Sequence, residues 1–211
     1  MSTSSNTSTS TTPLQARLGA ASGAAFAIAL FVAAGDGKAG YSQPRAVIGT
    51  IALVLFVPFL AFVASLLRAA EPGSRWLSTT ALAAGITGIT MKLLSGGPEV
   101  AIHRAHVADG TQLHEALKGI AGAATVASLY PFALFLAVVA VVALRTAVLP
   151  RWVGISAAVV ALALAINGAI PTTESVPALL LFIVWTLSVS VSIYRGARSE
   201  SRRLGQAYSA A

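Results

Sequence analysis

Long apolar runs separated by short polar connections make up almost the whole chain. A helix needs about 20 apolar residues to cross the ~30 Å hydrocarbon core of a bilayer. Runs of that order lie at residues 14–34, 45–67, 76–94, 112–144, 152–170 and 176–194. They predict an all-α integral membrane protein, a bundle of six transmembrane helices with its membrane domain over 14–195. The run at 14–34 is read as a retained anchor, because the segment before it is long and carries Arg17 as its only cation, unlike a signal peptide. Residues 1–13, MSTSSNTSTSTTP, have no apolar periodicity and are expected to be disordered. Residues 196–211 are expected to form a basic, flexible or interfacial tail.

One polar stretch interrupts this pattern at length, from Lys92 to Lys118. Gly96-Gly97-Pro98 is expected to break the third span there. Pro98 suits a first helical position and Glu99 a first turn, so a short cap helix over 98–108 is predicted between helices 3 and 4. Asp109-Gly110 would end it, and Thr111 would cap helix 4 from Gln112. Pro58 and Pro131 fall inside the second and fourth spans, where each removes a backbone donor and is expected to bend its helix. The third span is rich in Gly, Ser and Thr, which suits close packing against protein, so helices 3 and 5 are expected to be inner helices.

Composition supports the membrane class. Charged residues make up 10% of the chain, against about 25% in soluble domains. There is no cysteine, which excludes disulfides and thiolate chemistry in this sequence. The net charge of +7 would suit nucleic acid if it were clustered with aromatic residues, but it is sorted by topology instead. With six spans, the side holding both tails and the loops 68–75 and 145–151 carries nine of the fourteen cations and two acids. The other side carries five cations and five acids. The positive-inside rule makes the basic face cytoplasmic, with both termini there and the polar stretch extracytoplasmic. The expected partners are therefore the bilayer, with anionic lipid at the cytoplasmic face, and a second copy or another membrane protein, not nucleic acid.

The sequence also repeats itself. Pro58-Phe59, Arg68 and Arg75-Trp76 have counterparts in Pro131-Phe132, Arg145 and Arg151-Trp152, at an offset of 73 residues for the Pro-Phe pair and 76 for the Arg-Trp pair. Such spacing suggests a duplicated hairpin, though interface rules alone also place Arg and Trp at a membrane edge. The Arg-Trp re-entry and the segment Arg145…Leu149-Pro150-Arg151-Trp152-Val153-Gly154 resemble small multi-pass membrane proteins of actinobacteria. That resemblance implies a six-helix membrane fold and brings no catalytic residues.

Candidate chemistry is confined to the polar stretch, which holds all three histidines. On a helix over 98–108, Glu99, His103 and His106 stand at i, i+4 and i+7 and share a face. Two imidazoles and a carboxylate suit zinc or another divalent ion, with His114 or Glu115 completing the shell. The same residues also suit a wet cap whose polar face meets water. No phosphate-binding loop, nucleotide fingerprint, nucleophile elbow or zinc-protease motif is present, and no acid lies mid-span. Three functions remain open on these grounds: a non-enzymatic scaffold or interaction subunit, which the missing motifs favour; a small transporter or channel; and a metal- or ligand-binding membrane protein.

Overall fold

The computed structural model describes residues 13–34, 42–71, 75–146, 148–170 and 176–209. The expected disordered tail lies, Pro13 apart, outside the described residues. Six helices make up the fold: α1 Pro13–Ala34, α2 Gln43–Ala70, α3 Trp76–Arg104, α4 Gln112–Thr146, α5 Arg151–Ala169 and α6 Val176–Ser209. No strand occurs among the described residues. All six helices are long and apolar enough to cross a membrane.

Helix starts follow the predicted signals closely. Pro44 sits in the first turn of α2, where its missing N–H costs nothing. The start of α3 is capped from the preceding connection, with the Ser78 amide donating to Glu71 Oε2 at 3.2 Å. Helix ends differ more. α3 does not break at Gly96-Gly97-Pro98 but continues to Arg104, so the separate cap helix is replaced by the last turns of α3. A proline disfavours helical backbone at the residue before it, partly through that residue's Cβ. Here that residue is Gly97, which has none, so the helix passes with only the Leu94 carbonyl losing its usual partner. α6 likewise runs on to Ser209, past the expected end at residue 194. Pro58 and Pro131 also sit inside unbroken helices.

Neighbours in sequence pack on one another around a ring, α1 closes the ring against α6, and α2 meets α4 across the middle. α4 is the most buried of the six, and α5 is as buried as α2 and α6. α2, α4 and α6 send aromatic side chains to a shared centre: Phe56 and Phe59, Phe132 and Phe135, Phe182 and Trp185, joined by Phe26 of α1. Phe56 is the hub of this cluster. Its ring centroid lies 4.2 Å from Phe26, 5.4 Å from Phe59, 5.7 Å from Phe182, 6.2 Å from Phe132 and 6.4 Å from Phe135. Most of these pairs are edge-to-face, the arrangement the ring quadrupole favours. Trp185 belongs to this packing: it is buried edge-to-face on Phe135, and its indole N–H donates to the Val153 carbonyl at 3.4 Å.

The expectation that α3 is an inner helix is therefore corrected. Its buried positions, Ser78, Ala81, Ala84, Gly85, Gly88, Ile89 and Ser95, form one narrow stripe, while Thr79, Thr87 and Thr90 face outward. Small residues let that stripe approach closely, with Gly85 against Leu60 and Gly88 against Phe132, but they do not surround the helix with protein. α4 takes the central place instead. Its buried face runs from Ser128 to Ala143 against α2, α3 and α5.

The packing also sets the register of the repeat. A constant offset of 76 residues carries Phe56, Phe59, Leu60, Val63 and Leu67 of α2 onto Phe132, Phe135, Leu136, Val139 and Ala143 of α4, and all ten are buried. The same offset carries Ser78, Ala81, Ala84, Gly85 and Gly88 of α3 onto Gly154, Ala157, Val160, Ala161 and Leu164 of α5, again all buried. The two Pro-Phe pairs, 73 apart, are not equivalent in this register: Pro58 corresponds to Leu134 and Pro131 to Leu55. The α2–α3 and α4–α5 hairpins are thus built to one pattern of core contacts.

Candidate functional site: the polar end of α3 and α4

The five residues singled out for metal binding are spread along three pieces of backbone. Glu99 and His103 lie in the last turns of α3, one turn apart, and both are exposed. His106 is beyond the helix end, with φ +49, so it does not continue the face that Glu99 and His103 share. The i+7 relation required helix through residue 106, and the chain turns two residues too early for it. His114 is in the first turn of α4 and is buried, at 4% exposure, while Glu115 beside it points outward. Among the described residues no three His, Asp or Glu side chains gather as a metal ion would require.

The turn between α3 and α4 does bring one pair together. Gly110 adopts φ +76, a left-handed conformation that suits glycine, and it reverses the chain at Asp109-Gly110. Thr111 then caps α4 as expected, its Oγ1 accepting from the His114 amide at 3.3 Å. The reversal leaves His114 Nδ1 3.4 Å from Asp109 Oδ1, although Asp109 is almost fully exposed. That separation is an ion-pair distance without hydrogen-bond direction, and the buried Nδ1 has no hydrogen-bond partner. The pair orients a turn and lacks the further ligands a metal centre needs.

A second polar feature was not read from the sequence. Lys92, where the polar stretch begins, lies inside α3, and its Nζ donates to Thr125 Oγ1 of α4 at 3.2 Å. Ser95 and Ser128 are buried in these same two helices. Their hydroxyls return to their own helices, Ser95 Oγ to the Lys92 carbonyl at 2.7 Å and Ser128 Oγ to the Thr125 carbonyl at 2.6 Å. Only the lysine crosses from one helix to the other. A signal existed in the spacing: Lys92 and Ser95 stand at i and i+3, as do Thr125 and Ser128. Chemically, this seam ties α3 to α4; it presents no nucleophile with a base and no paired carboxylates.

The opposite end of the bundle is basic. Arg68, Arg75, Arg145 and Arg151 flank the α2–α3 and α4–α5 connections and are all exposed, with Trp76 and Trp152 beside them and also exposed. Compared with protein-family models, curated proteins and solved structures, the chain matches none.

Proposed function

We propose that this chain is an integral protein of the cell membrane, with both termini cytoplasmic, that serves as a non-enzymatic scaffold or interaction subunit. The observation that carries this reading is the solid centre of the bundle. Where a transport path would run between α2, α4 and α6, the space holds Phe56, Phe132, Phe135 and Phe182. The buried polar side chains among the described residues are four serines, Thr186 and His114, and none is an acid or a fixed cation. Coupled transporters are built around such charged groups.

Membrane insertion rests on the outer surface. Ile28, Val54, Leu94, Ile120, Leu162 and Val184, from all six helices, are each more than half exposed. A soluble protein does not spread apolar surface around its whole circumference. Orientation rests on the charge split, +7 on one face and balanced on the other, and on the exposed Arg and Trp at the basic end. The resemblance to small multi-pass proteins of actinobacteria agrees with this proposal and supplies no activity.

Two measurements test it. Alkaline phosphatase fused after residue 108 should be active and fused after residue 148 inactive; the reverse pattern would overturn the orientation. Purified protein in liposomes should pass no K⁺, Na⁺ or protons above the rate of empty vesicles under an imposed gradient. Flux abolished by Lys92→Met would transfer the reading to a transporter using the α3–α4 seam.

A further inference from the structure

The α4–α5 hairpin holds an apolar groove. α4 and α5 touch at both ends of it, where the Tyr130 ring lies 3.1 Å from a Cβ placed on Gly168 and Leu144 lies 2.9 Å from one placed on Gly154. Between those points, Ala133, Ala137 and Ala140 of α4 face Ala158, Ala161 and Ala165 of α5. The alanines leave an apolar groove of about 550 Å³, open to the outside along its length. That volume is within the ~300–1,000 Å³ of small-molecule sites.

The first hairpin shares half of this row: at the 76-residue offset Ala137, Ala140 and Ala161 correspond to Ala61, Ala64 and Gly85, whereas Ala133, Ala158 and Ala165 correspond to the larger Val57, Leu82 and Ile89. The mouths differ as well. The groove's Leu144 end lies at the end of the hairpin that carries the exposed Arg145 and Arg151, with no acid between them in the chain, whereas Glu71 lies between Arg68 and Arg75. Both hairpins end at two exposed arginines, but in the second the row of small side chains is longer and no acid separates the two guanidinium-bearing residues in the chain.

We propose that this groove binds one acyl chain of an anionic phospholipid, with Arg145 and Arg151 holding its phosphate. From Leu144 to Tyr130 the groove follows 14 residues of helix, about 21 Å at ~1.5 Å per residue. One leaflet of the hydrocarbon core is about 15 Å deep, so a chain entering at the arginine end is covered over the whole leaflet. Guanidinium groups bind phosphate in two-pronged, charge-assisted contacts, which makes them suited to an anionic headgroup. A second copy of the chain fits less well. Leu134, Val141 and Leu162 project from the groove's rims, exposed at 49%, 39% and 62%, and hold a helix of ~10 Å diameter off the alanine floor. The proposal rests on the membrane reading of the fold but not on the scaffold role, since a transporter could hold the same lipid.

The test is native mass spectrometry of the detergent-purified protein, offered phosphatidylglycerol and phosphatidylcholine of the same chain length. The wild-type protein should retain phosphatidylglycerol about tenfold better, the contribution of one to two charge-assisted contacts. Ala137→Leu/Ala161→Leu should lose both lipids, while Arg145→Gln/Arg151→Gln, at exposed positions that folding does not need, should keep the chain and lose the headgroup preference. Equal retention by the groove-filled variant, or an undiminished preference in the arginine variant, would overturn the proposal. A wild-type dimer that the groove-filled variant breaks would overturn it too, in favour of a second copy.

Discussion

Phe56→Ala should lower the melting temperature of the purified protein by roughly 10 °C, the largest loss expected from any single truncation in the bundle. Phe-to-Ala changes in a packed core cost about 3–5 kcal/mol, from lost contacts and the cavity left behind. In a chain of this size each kcal/mol moves the midpoint by about 2–4 °C. Phe56 is fully buried and meets five other rings from four helices, so no one neighbour can move in to fill the space. In a bilayer the argument gains weight, because lipid tails are as apolar as the core and helix association depends on packing. Phe31→Ala is the control: its ring is 61% exposed on the outer surface, and its loss should shift the midpoint by about 2 °C or less. Equal shifts for the two variants would mean that the aromatic centre does not hold the bundle. Combining Phe56→Ala with Phe132→Ala, whose rings lie 6.2 Å apart, should cost less than the two single losses added, because both empty one space.

The helices themselves are readable because the apolar runs are long and their starts are marked by Trp76 and Gln112, which open α3 and α4 as expected, while α5 opens at Arg151, one residue before the expected Trp152. The break at Gly96-Gly97-Pro98 was misread because the same triplet ends one helix and permits another. Its effect turns on the missing Cβ of Gly97, which lets helical backbone run up to a proline. That misreading carried over to the candidate site. Placing Glu99, His103 and His106 on one face assumed a helix through residue 106, whereas α3 ends at Arg104 and His106 turns into left-handed backbone. The i, i+3 spacing of Lys92 with Ser95 and of Thr125 with Ser128 marks a polar face on each helix, but that Lys92 meets Thr125 depends on which faces of the two helices meet. The Arg-Trp spacing did reveal the 76-residue period, but Pro-Phe suggested 73, because the two prolines lie outside the buried core while the phenylalanines lie in it. Periodicity identifies what is apolar. Which apolar residues meet is a three-dimensional fact, and α3 shows it: rich in small residues, it still lies at the edge of the ring.

The same substitution at two glycines should act with opposite sign, and this measures how closely α1 is seated. In a helix, Gly→Ala gains roughly 1 kcal/mol of intrinsic propensity wherever the new methyl has room. At Gly122 of α4 nothing lies within 4 Å of the new Cβ, so Gly122→Ala should raise the melting midpoint by about 2–4 °C. At Gly23 of α1 the new Cβ would run into Ser190 Oγ of α6 and the Phe59 ring of α2 at once. The serine hydroxyl is buried, and Phe59 is stacked on Phe56 at 5.4 Å, so neither can turn aside without disturbing the centre. Overpacking costs typically 1–3 kcal/mol, and at this junction of three helices it should exceed the propensity gain. Gly23→Ala should then fall below the wild type by about 2–6 °C, leaving the two variants on opposite sides of it. Gly85→Ala calibrates the pair: its close neighbour at 2.6 Å is the tip of Leu60, whose rotamer can change, so it should lie between them. If Gly23→Ala were as stable as Gly122→Ala, α1 would have to sit further from α2 and α6 than this packing places it.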